Sequence, residues 1–310
     1  MEKMLLRIGT RSSSLAVAQS EWVKKRLQLR YPELRVELVK IRTIGDRILN
    51  SPLSRIGGKG LFVKEIENAL LEEKVDVAVH SAKDIPAELP DGLEIATFPK
   101  REDPRDAWVS NRYRSIERLP AGARVGTGSL RRSAQLKNKR PDLQVIPVRG
   151  NVDTRLRKLD SGDFDGILLA AAGLKRLGLS ERISSVLLPE EFIPAIGQGA
   201  LGLETRVGDS LCRNLLNFLN DKETEITVRA ERAFLKELHG GCQVPLGAHG
   251  RLEGERLVLY GMVAEVDGSR LLRDHVQGSA VIPEDLGAEL ARKLIDSGAQ
   301  EILARIYGSR

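Results

Sequence analysis

The sequence predicts an α/β protein in which mostly parallel sheets are covered by helices, with a smaller α+β region at the C-terminal end. Three observations carry this. Short apolar runs alternate with amphipathic stretches from the start of the chain, which is the rhythm of βαβ units. The rhythm restarts at about residue 100, after a proline-bearing segment over 99–104 that suits a crossing between units. Beyond Asn220 the order changes to a helix, consecutive strands and terminal helices. With 310 residues, the chain exceeds what one core organises, so two or three domains of about 100 residues are expected.

Each element has a local cause. Residues 5–8 read as a strand, and residues 15–29 as an amphipathic helix behind the capping candidates Ser12, Ser13 and Ser14. A second strand spans 36–41. After a polar, glycine-rich stretch over 43–60, a helix is expected over 61–71 with Phe62, Ile66, Ala69 and Leu70 on one side, then a strand over 75–79. Strands over 124–126, 144–148 and 166–170 each precede a helical pattern. In the last third, a helix over 226–238, strands over 256–264 and 271–277, and helices near 286–295 and 300–307 complete the reading. No fixed-period repeat or low-complexity tract interrupts it.

Composition narrows the function. An apolar fraction of 41% with 30% charged residues is that of a globular protein rather than a disordered one. The net charge of +6 favours anionic partners, yet acidic residues are interspersed along the chain. Only 4% of residues are aromatic, and no aromatic-basic ladder for stacking bases is present, which argues against nucleic acid. No stretch is long enough to span a bilayer, and the first residues carry a strand pattern rather than a secretion leader. Two cysteines, Cys212 and Cys242, suit free thiols in a reducing cytoplasm.

The arginines gather where strands give way to helices. Thr127-Gly128-Ser129-Leu130-Arg131-Arg132 and Arg149-Gly150-Asn151-Val152-Asp153-Thr154-Arg155 place guanidinium forks beside the open N–H groups of helix starts, a geometry suited to carboxylates or phosphates. A solvated helix face accounts for any single arginine; four at two strand ends point to a polyanionic ligand.

Asp84 follows a strand in His80-Ser81-Ala82-Lys83-Asp84 and is followed at once by Ile85-Pro86. A carboxylate at a strand mouth can give a proton to a departing amine, shelter a cation and later take a proton back; in isolation it also reads as a turn or cap residue. Cys242, in Gly240-Gly241-Cys242-Gln243, lies on a loop whose glycines permit close approach, whereas Cys212 shares a helical pattern with Leu211, Leu215 and Phe218 and reads as a small apolar filler. His239, Cys242 and His249 match no zinc spacing, so no metal site is assigned. His80 is expected to satisfy a backbone group at the strand end. Neither Gly57-Gly58-Lys59-Gly60 nor Gly126-Thr127-Gly128-Ser129 completes a nucleotide-binding pattern. The 43–60 stretch suits either a mobile lid carrying Arg55 and Lys59 or a plain surface loop.

Several segments together resemble the porphobilinogen deaminase (hydroxymethylbilane synthase) family nearly end to end. They are Arg11-Ser12-Ser13, Gly57-Gly58-Lys59-Gly60-Leu61-Phe62, His80-Ser81-Ala82-Lys83-Asp84, Arg101-Glu102-Asp103-Pro104-Arg105-Asp106, Leu130-Arg131-Arg132, Arg149-Gly150-Asn151-Val152, Ile196-Gly197-Gln198-Gly199-Ala200 and Gly240-Gly241-Cys242-Gln243. The resemblance implies two lobes like those of periplasmic binding proteins with the active site in the cleft between them, plus a small C-terminal α+β domain. The implied division is lobe 1 over 1–99 with 200–219, lobe 2 over 100–199, and a third domain over 220–310 that carries the cofactor-attachment cysteine.

The resemblance further implies a cytoplasmic, monomeric transferase of tetrapyrrole (haem-type) biosynthesis. It would join four porphobilinogen molecules head to tail into hydroxymethylbilane with loss of ammonia, on a dipyrromethane cofactor held by Cys242 through a thioether. Asp84 would assist ammonia loss and stabilise the azafulvene cation. Lys83, Thr127, Ser129, Arg131, Arg132 and Gly150 would hold the cofactor. Arg11, Ser13, Phe62, Ser81, Arg149, Arg155, Arg176 and Gln198 would hold substrate and the growing oligopyrrole. At position 128 the family commonly has serine, so the glycine here removes one ligand hydroxyl. A non-catalytic two-lobed anion-binding protein is the rival from another class, and a basic RNA-binding protein a third, supported by charge alone.

Overall fold

Leu6 and Ile8 turn inward along the first strand, β1 (Leu5–Arg11), and the alternation breaks only where Gly9 and Thr10 are also buried. The computed structural model describes residues 5–47, 63–240 and 244–308. By contact density these fall into two units, residues 1–102 with 200–225 and residues 103–199 with 226–310.

In the first unit, β1 leads into α1 (Ser14–Arg30), whose N-cap is Ser13; its hydroxyl accepts from Ala16 N at 3.4 Å. The helix buries Ala16, Gln19, Ser20, Val23 and Leu27, one stripe at helical spacing. Toward the C-terminal end of this stripe Val23 and Leu27 join the core with Leu6, Ile8, Val36 and Val77, whereas Gln19 and Ser20 make its N-terminal part polar. β2 (Arg35–Ile41) pairs parallel to β1. A short turn of helix, α2 (Ile44–Arg47), and α3 (Lys64–Leu71) follow; α3 buries Ile66, Ala69 and Leu70, as the spacing predicts. The next strand, β3, runs over Val77–Ser81 rather than 75–79, so Ser81 belongs to the sheet and a 3-10 turn over Ala82–Asp84 follows directly. β4 (Leu93–Thr97) closes the edge.

The second unit repeats this plan. Its elements are β5 (Asp106–Val109), β6 (Arg124–Gly126), α4 (Leu130–Lys139), β7 (Gln144–Ile146), α5 (Val152–Asp160), β8 (Gly166–Ala170), α6 (Ala171–Arg176) and β9 (Ser185–Val186). The chain then returns to the first unit as β10 (Leu201–Arg206) and α7 (Ser210–Leu216). The two sheets have matching orders, β2-β1-β3-β10-β4 and β7-β6-β8-β5-β9. In each, three parallel strands are followed by one antiparallel strand delivered by a crossing of the chain: β10 pairs with β3 and β4, β5 with β8 and β9. Trp108 of β5 is wholly buried, and a Cβ on Gly166 of β8 would lie 2.0 Å from its ring, so only glycine fits that position.

α8 (Lys222–Glu237) then leads to a meander of β11 (Leu246–Glu253), β12 (Arg256–Ala264) and β13 (Leu271–Ser279), backed by α9 (Pro283–Leu294) and α10 (Gln300–Gly308). Cys212 is buried against Leu215 and Leu216, the filler role expected of it. Burial, then hydrogen bonding to Asp209, pushes its thiol up to about 12. Among the described residues no helix is long and apolar enough to cross a membrane.

Candidate functional site

Both units place polar side chains at the carboxyl ends of their parallel strands, where sheets of this kind open to ligands. In the first unit Arg11 ends β1, Ser13 caps α1, Ser81 ends β3, and Lys83 and Asp84 occupy the turn beyond it. Arg11, Ser13, Gln19, His80, Ser81 and Asp84 line one cavity of about 50 Å³, room for a small polar group or a few waters. Arg11 Nη1 stands 3.8 Å from Asp84 Oδ2. Gln19 Nε2 donates to Ser81 Oγ at 2.9 Å, which explains the buried amide on α1: it faces this cavity rather than the core. The turn carrying Asp84 is held to the returning chain by Ala82 N, which donates to Ala200 O at 3.0 Å.

His80 does not serve a backbone group. Its Nε2 lies 2.9 Å from Glu204 Oε2 of β10, both side chains being buried. Burial, then the charge of Glu204, pushes the neighbouring Glu67 carboxyl up to about 7, with His80 and Lys64 opposing. The strand end behind Asp84 thus rests on a buried cluster of two carboxylates and an imidazole.

In the second unit Thr127 directly follows β6 and Ser129 caps α4, its hydroxyl accepting from Arg132 N at 3.4 Å. Thr127 Oγ1 accepts from Ser129 N at 3.2 Å. A Cβ on Gly128 would lie 2.7 Å from Val148 O, so a serine at this position would need the backbone to shift. Asn151 caps α5 through Thr154 N at 2.9 Å. Gly150 before it has φ +106°, a conformation glycine adopts without strain.

Arg131 and Arg132 converge on the wholly buried Asp106. Arg131 Nη1 donates to Asp106 Oδ2 at 2.7 Å, and Arg132 Nε to Oδ1 at 2.8 Å. Gln198 Nε2 adds a third donor at 3.0 Å. Burial alone would raise the Asp106 carboxyl, but Arg131 and Arg132 outweigh it and hold it well below the ordinary carboxylate range. Arg155 donates to Gly150 O at 2.8 Å; burial, then Arg132 and Arg149, lower its guanidinium to about 10. Arg176 Nη2 donates to Gly199 O at 2.8 Å. Arg131 and Arg132 therefore outnumber the carboxylate they share, and Arg131 Nε is buried without a partner, a donor that suits a ligand oxygen.

Arg55, Lys59, Phe62 and Cys242 lie outside the described residues. Among the described residues no group of three His, Cys, Asp or Glu side chains is placed to hold a metal ion. Read from sequence, Asp106 falls within the 101–106 segment but receives no role, and Glu204, Glu67 and Gln19 are passed over. The signal available was a carboxylate inside an apolar strand, as in Asp106-Ala107-Trp108-Val109, where burial demands a paired cation.

By sequence, the chain is similar to proteins of one family over nearly its whole length. Residues 6–214 match the family model described as "Porphobilinogen deaminase, dipyromethane cofactor binding domain", and residues 225–296 match "Porphobilinogen deaminase, C-terminal domain". The chain is 53% identical over 302 residues to the porphobilinogen deaminase of Pelobacter propionicus, covering 97% of each. It is 53% identical over 307 residues to that of Syntrophobacter fumaroxidans, covering 99% of each. Among solved structures, a periplasmic substrate-binding protein of an ABC transporter from Coxiella burnetii aligns with a TM-score of 0.44 at 16% identity, over 70% of this chain and 92% of that one.

Proposed function

The chain belongs to the porphobilinogen deaminase family, and from that premise we propose how its own residues divide the work. It is a transferase that condenses four porphobilinogen molecules head to tail into hydroxymethylbilane and releases ammonia at each addition. A dipyrromethane cofactor, when bound, supplies the pyrrole carbon onto which the first substrate is added.

Asp84 is the catalytic group. Each substrate must lose its aminomethyl nitrogen as ammonia, leaving a cation conjugated with the pyrrole, and a ring proton must leave after the new carbon–carbon bond forms. A carboxylate that shares a cavity with Arg11, Ser13 and Ser81 can hold a proton for the departing nitrogen, offset the cation and take up the ring proton. Arg11, Ser13 and Ser81, with Lys83 beside them, orient the reacting ring against it.

The second-unit cluster is the carboxylate grip. Each pyrrole bears acetate and propionate, so the growing chain gains negative charge at every step. Arg131, Arg132 and Lys83, with Thr127, Ser129 and Gly150, are assigned to the cofactor; the buried, unpartnered Arg131 Nε and the surplus of guanidinium charge fit its carboxylates. Arg149, Arg155, Arg176 and Gln198 are assigned to substrate and oligopyrrole. Cys242 is the attachment site, and the deep, proton-holding thiol of Cys212 is excluded by its burial. A division into lobe 1 over 1–99 with 200–219, lobe 2 over 100–199 and a third domain over 220–310 goes with this assignment, as does a monomer acting in the cytoplasm.

The observation that carries the reading is Asp84 and Arg11 in one cavity at the ends of β1 and β3. Incubation with porphobilinogen tests it: ammonia release with formation of a linear tetrapyrrole is expected, and the denatured protein should weigh more than its amino acids by two linked pyrroles, the excess mapping to the peptide of Cys242. Unchanged porphobilinogen, as a plain anion binder would leave it, overturns the assignment.

A further inference from the structure

Both carboxylate oxygens of Glu231, a wholly buried side chain on α8, hold backbone amides. Oε2 accepts from Gly197 N at 2.6 Å, and Oε1 accepts from Gly250 N at 2.8 Å, with His249 Nδ1 3.7 Å away. A buried carboxyl group is tolerated only where such bonds replace those to water. The two amides come from different elements. Gly250 lies in β11, and Gly197 opens a tight turn in which Gly197 and Gly199 have φ of +68° and +87°, values that other residues adopt only with strain.

That turn carries the arginine cluster. Gln198, between the two glycines, donates through Nε2 to Pro104 O at 2.8 Å and to Asp106 Oδ1 at 3.0 Å, and its Oε1 accepts from Arg132 Nη2 at 3.4 Å. Gly199 O holds Arg176. Strand β11 presses on the stretch just before it: a Cβ on Gly247 would lie 2.5 Å from Pro194 O and 2.9 Å from Arg131 Cδ, while Ile193 O accepts from Arg131 Nη1 at 2.7 Å. One carboxylate therefore ties α8 and β11 to the turn that fixes Gln198, Arg132 and Arg176.

We propose that Glu231 is a positioning residue for substrate binding: by clamping Gly197 to Gly250 it sets where Gln198 and the guanidinium groups beside it stand. The proposal rests on the assignment of those residues to the carboxylates of substrate. It also makes the grip depend on the C-terminal sheet, whose first strand begins at Leu246, four residues beyond Cys242. Only a carboxylate offers two acceptors in one fork. Glutamine at 231 would set an N–H donor against one of the two amides.

The test is a double-substitution cycle on the holoenzyme with Glu231→Gln, Gln198→Ala and the pair, following ammonia release from porphobilinogen. Each single change is expected to raise KM about tenfold, a loss of about 1.4 kcal/mol in binding, with kcat changed far less. The pair should raise KM no further than the larger single change, because both act through one turn. Multiplication of the two effects, or a drop in Tm for Glu231→Gln with KM unmoved, overturns the proposal. If Glu231→Gln does not fold, Gly197→Ala strains the same turn and must give the same KM rise and the same lack of additivity with Gln198→Ala; independent effects overturn it equally. Wild-type protein without turnover would strike the assigned activity instead, and turnover with an unmoved KM strikes the positioning role alone.

Discussion

Arg11 Nη1 stands 3.8 Å from Asp84 Oδ2, with both side chains partly open to solvent. That separation is beyond hydrogen-bond length, so in this pair the guanidinium shapes the potential at the carboxylate without capping it. Asp84→Asn preserves the shape and removes the charge and the proton site. Ammonia release is expected to fall by about 10²–10⁴-fold, with the far-ultraviolet circular dichroism of the folded protein unchanged. Turnover within a factor of three of wild type would remove Asp84 from the chemistry.

Asp106 is the counter-charge for two buried arginines. Asp106→Asn leaves Arg131 and Arg132 facing each other without it, and urea unfolding at pH 7 is expected to show a loss of about 3–5 kcal/mol. The sign with pH follows from the depressed carboxyl. Its contribution is present above the unfolded value of about 3.9 and is lost as pH falls below that, so wild type should lose stability on acidification below pH 4 more steeply than the variant.

Glu67 behaves in the opposite sense. Its carboxyl rises from the ordinary 4.5 to about 7, through burial first and Glu204 second, so the folded state keeps a proton that the unfolded chain gives up. Stability therefore declines as pH rises from about 4.5 to 7, by on the order of 3 kcal/mol at most. Glu67→Gln cannot ionise and should flatten this window, raising Tm relative to wild type at pH 8 but not at pH 4.5. Parallel Tm profiles for the two proteins would contradict the burial argument.

Arg155 is held at a cost by burial and by Arg132 and Arg149. A guanidinium lowered to about 10 destabilises the unliganded fold at every pH below that value. Arg155→Met should therefore raise Tm of ligand-free protein by a few degrees while raising KM for porphobilinogen at least tenfold. A lower Tm together with an unchanged KM would show that the residue is structural.

Much of the first unit is legible in the sequence because its causes are local. A serine cap for α1, offered among Ser12, Ser13 and Ser14 and found at Ser13, and the inward face of α3 follow from local pattern. β4, β5, β9, β10 and β11 escape such a reading. β10 carries a buried Glu204 and Thr205, and β5 opens with the buried Asp106, so the apolar pattern that marks a strand is broken by charges whose partners lie elsewhere in the chain. Matching sheet orders also rest on pairings between distant segments. The arginine-rich helix starts are visible as such, yet nothing local shows that Arg131 and Arg132 share one carboxylate, or that Glu231 holds the turn at Gly197.

The late return of β10 to the first sheet has a consequence for synthesis on the ribosome. The first sheet lacks its fourth strand until residues 201–206 have emerged, so a nascent chain stopped at residue 199 presents the unpaired flanks of β3 and β4 as sticky edges. Such truncations should need chaperone protection where the finished polypeptide does not, and this high contact order should make refolding slow for a chain of this length.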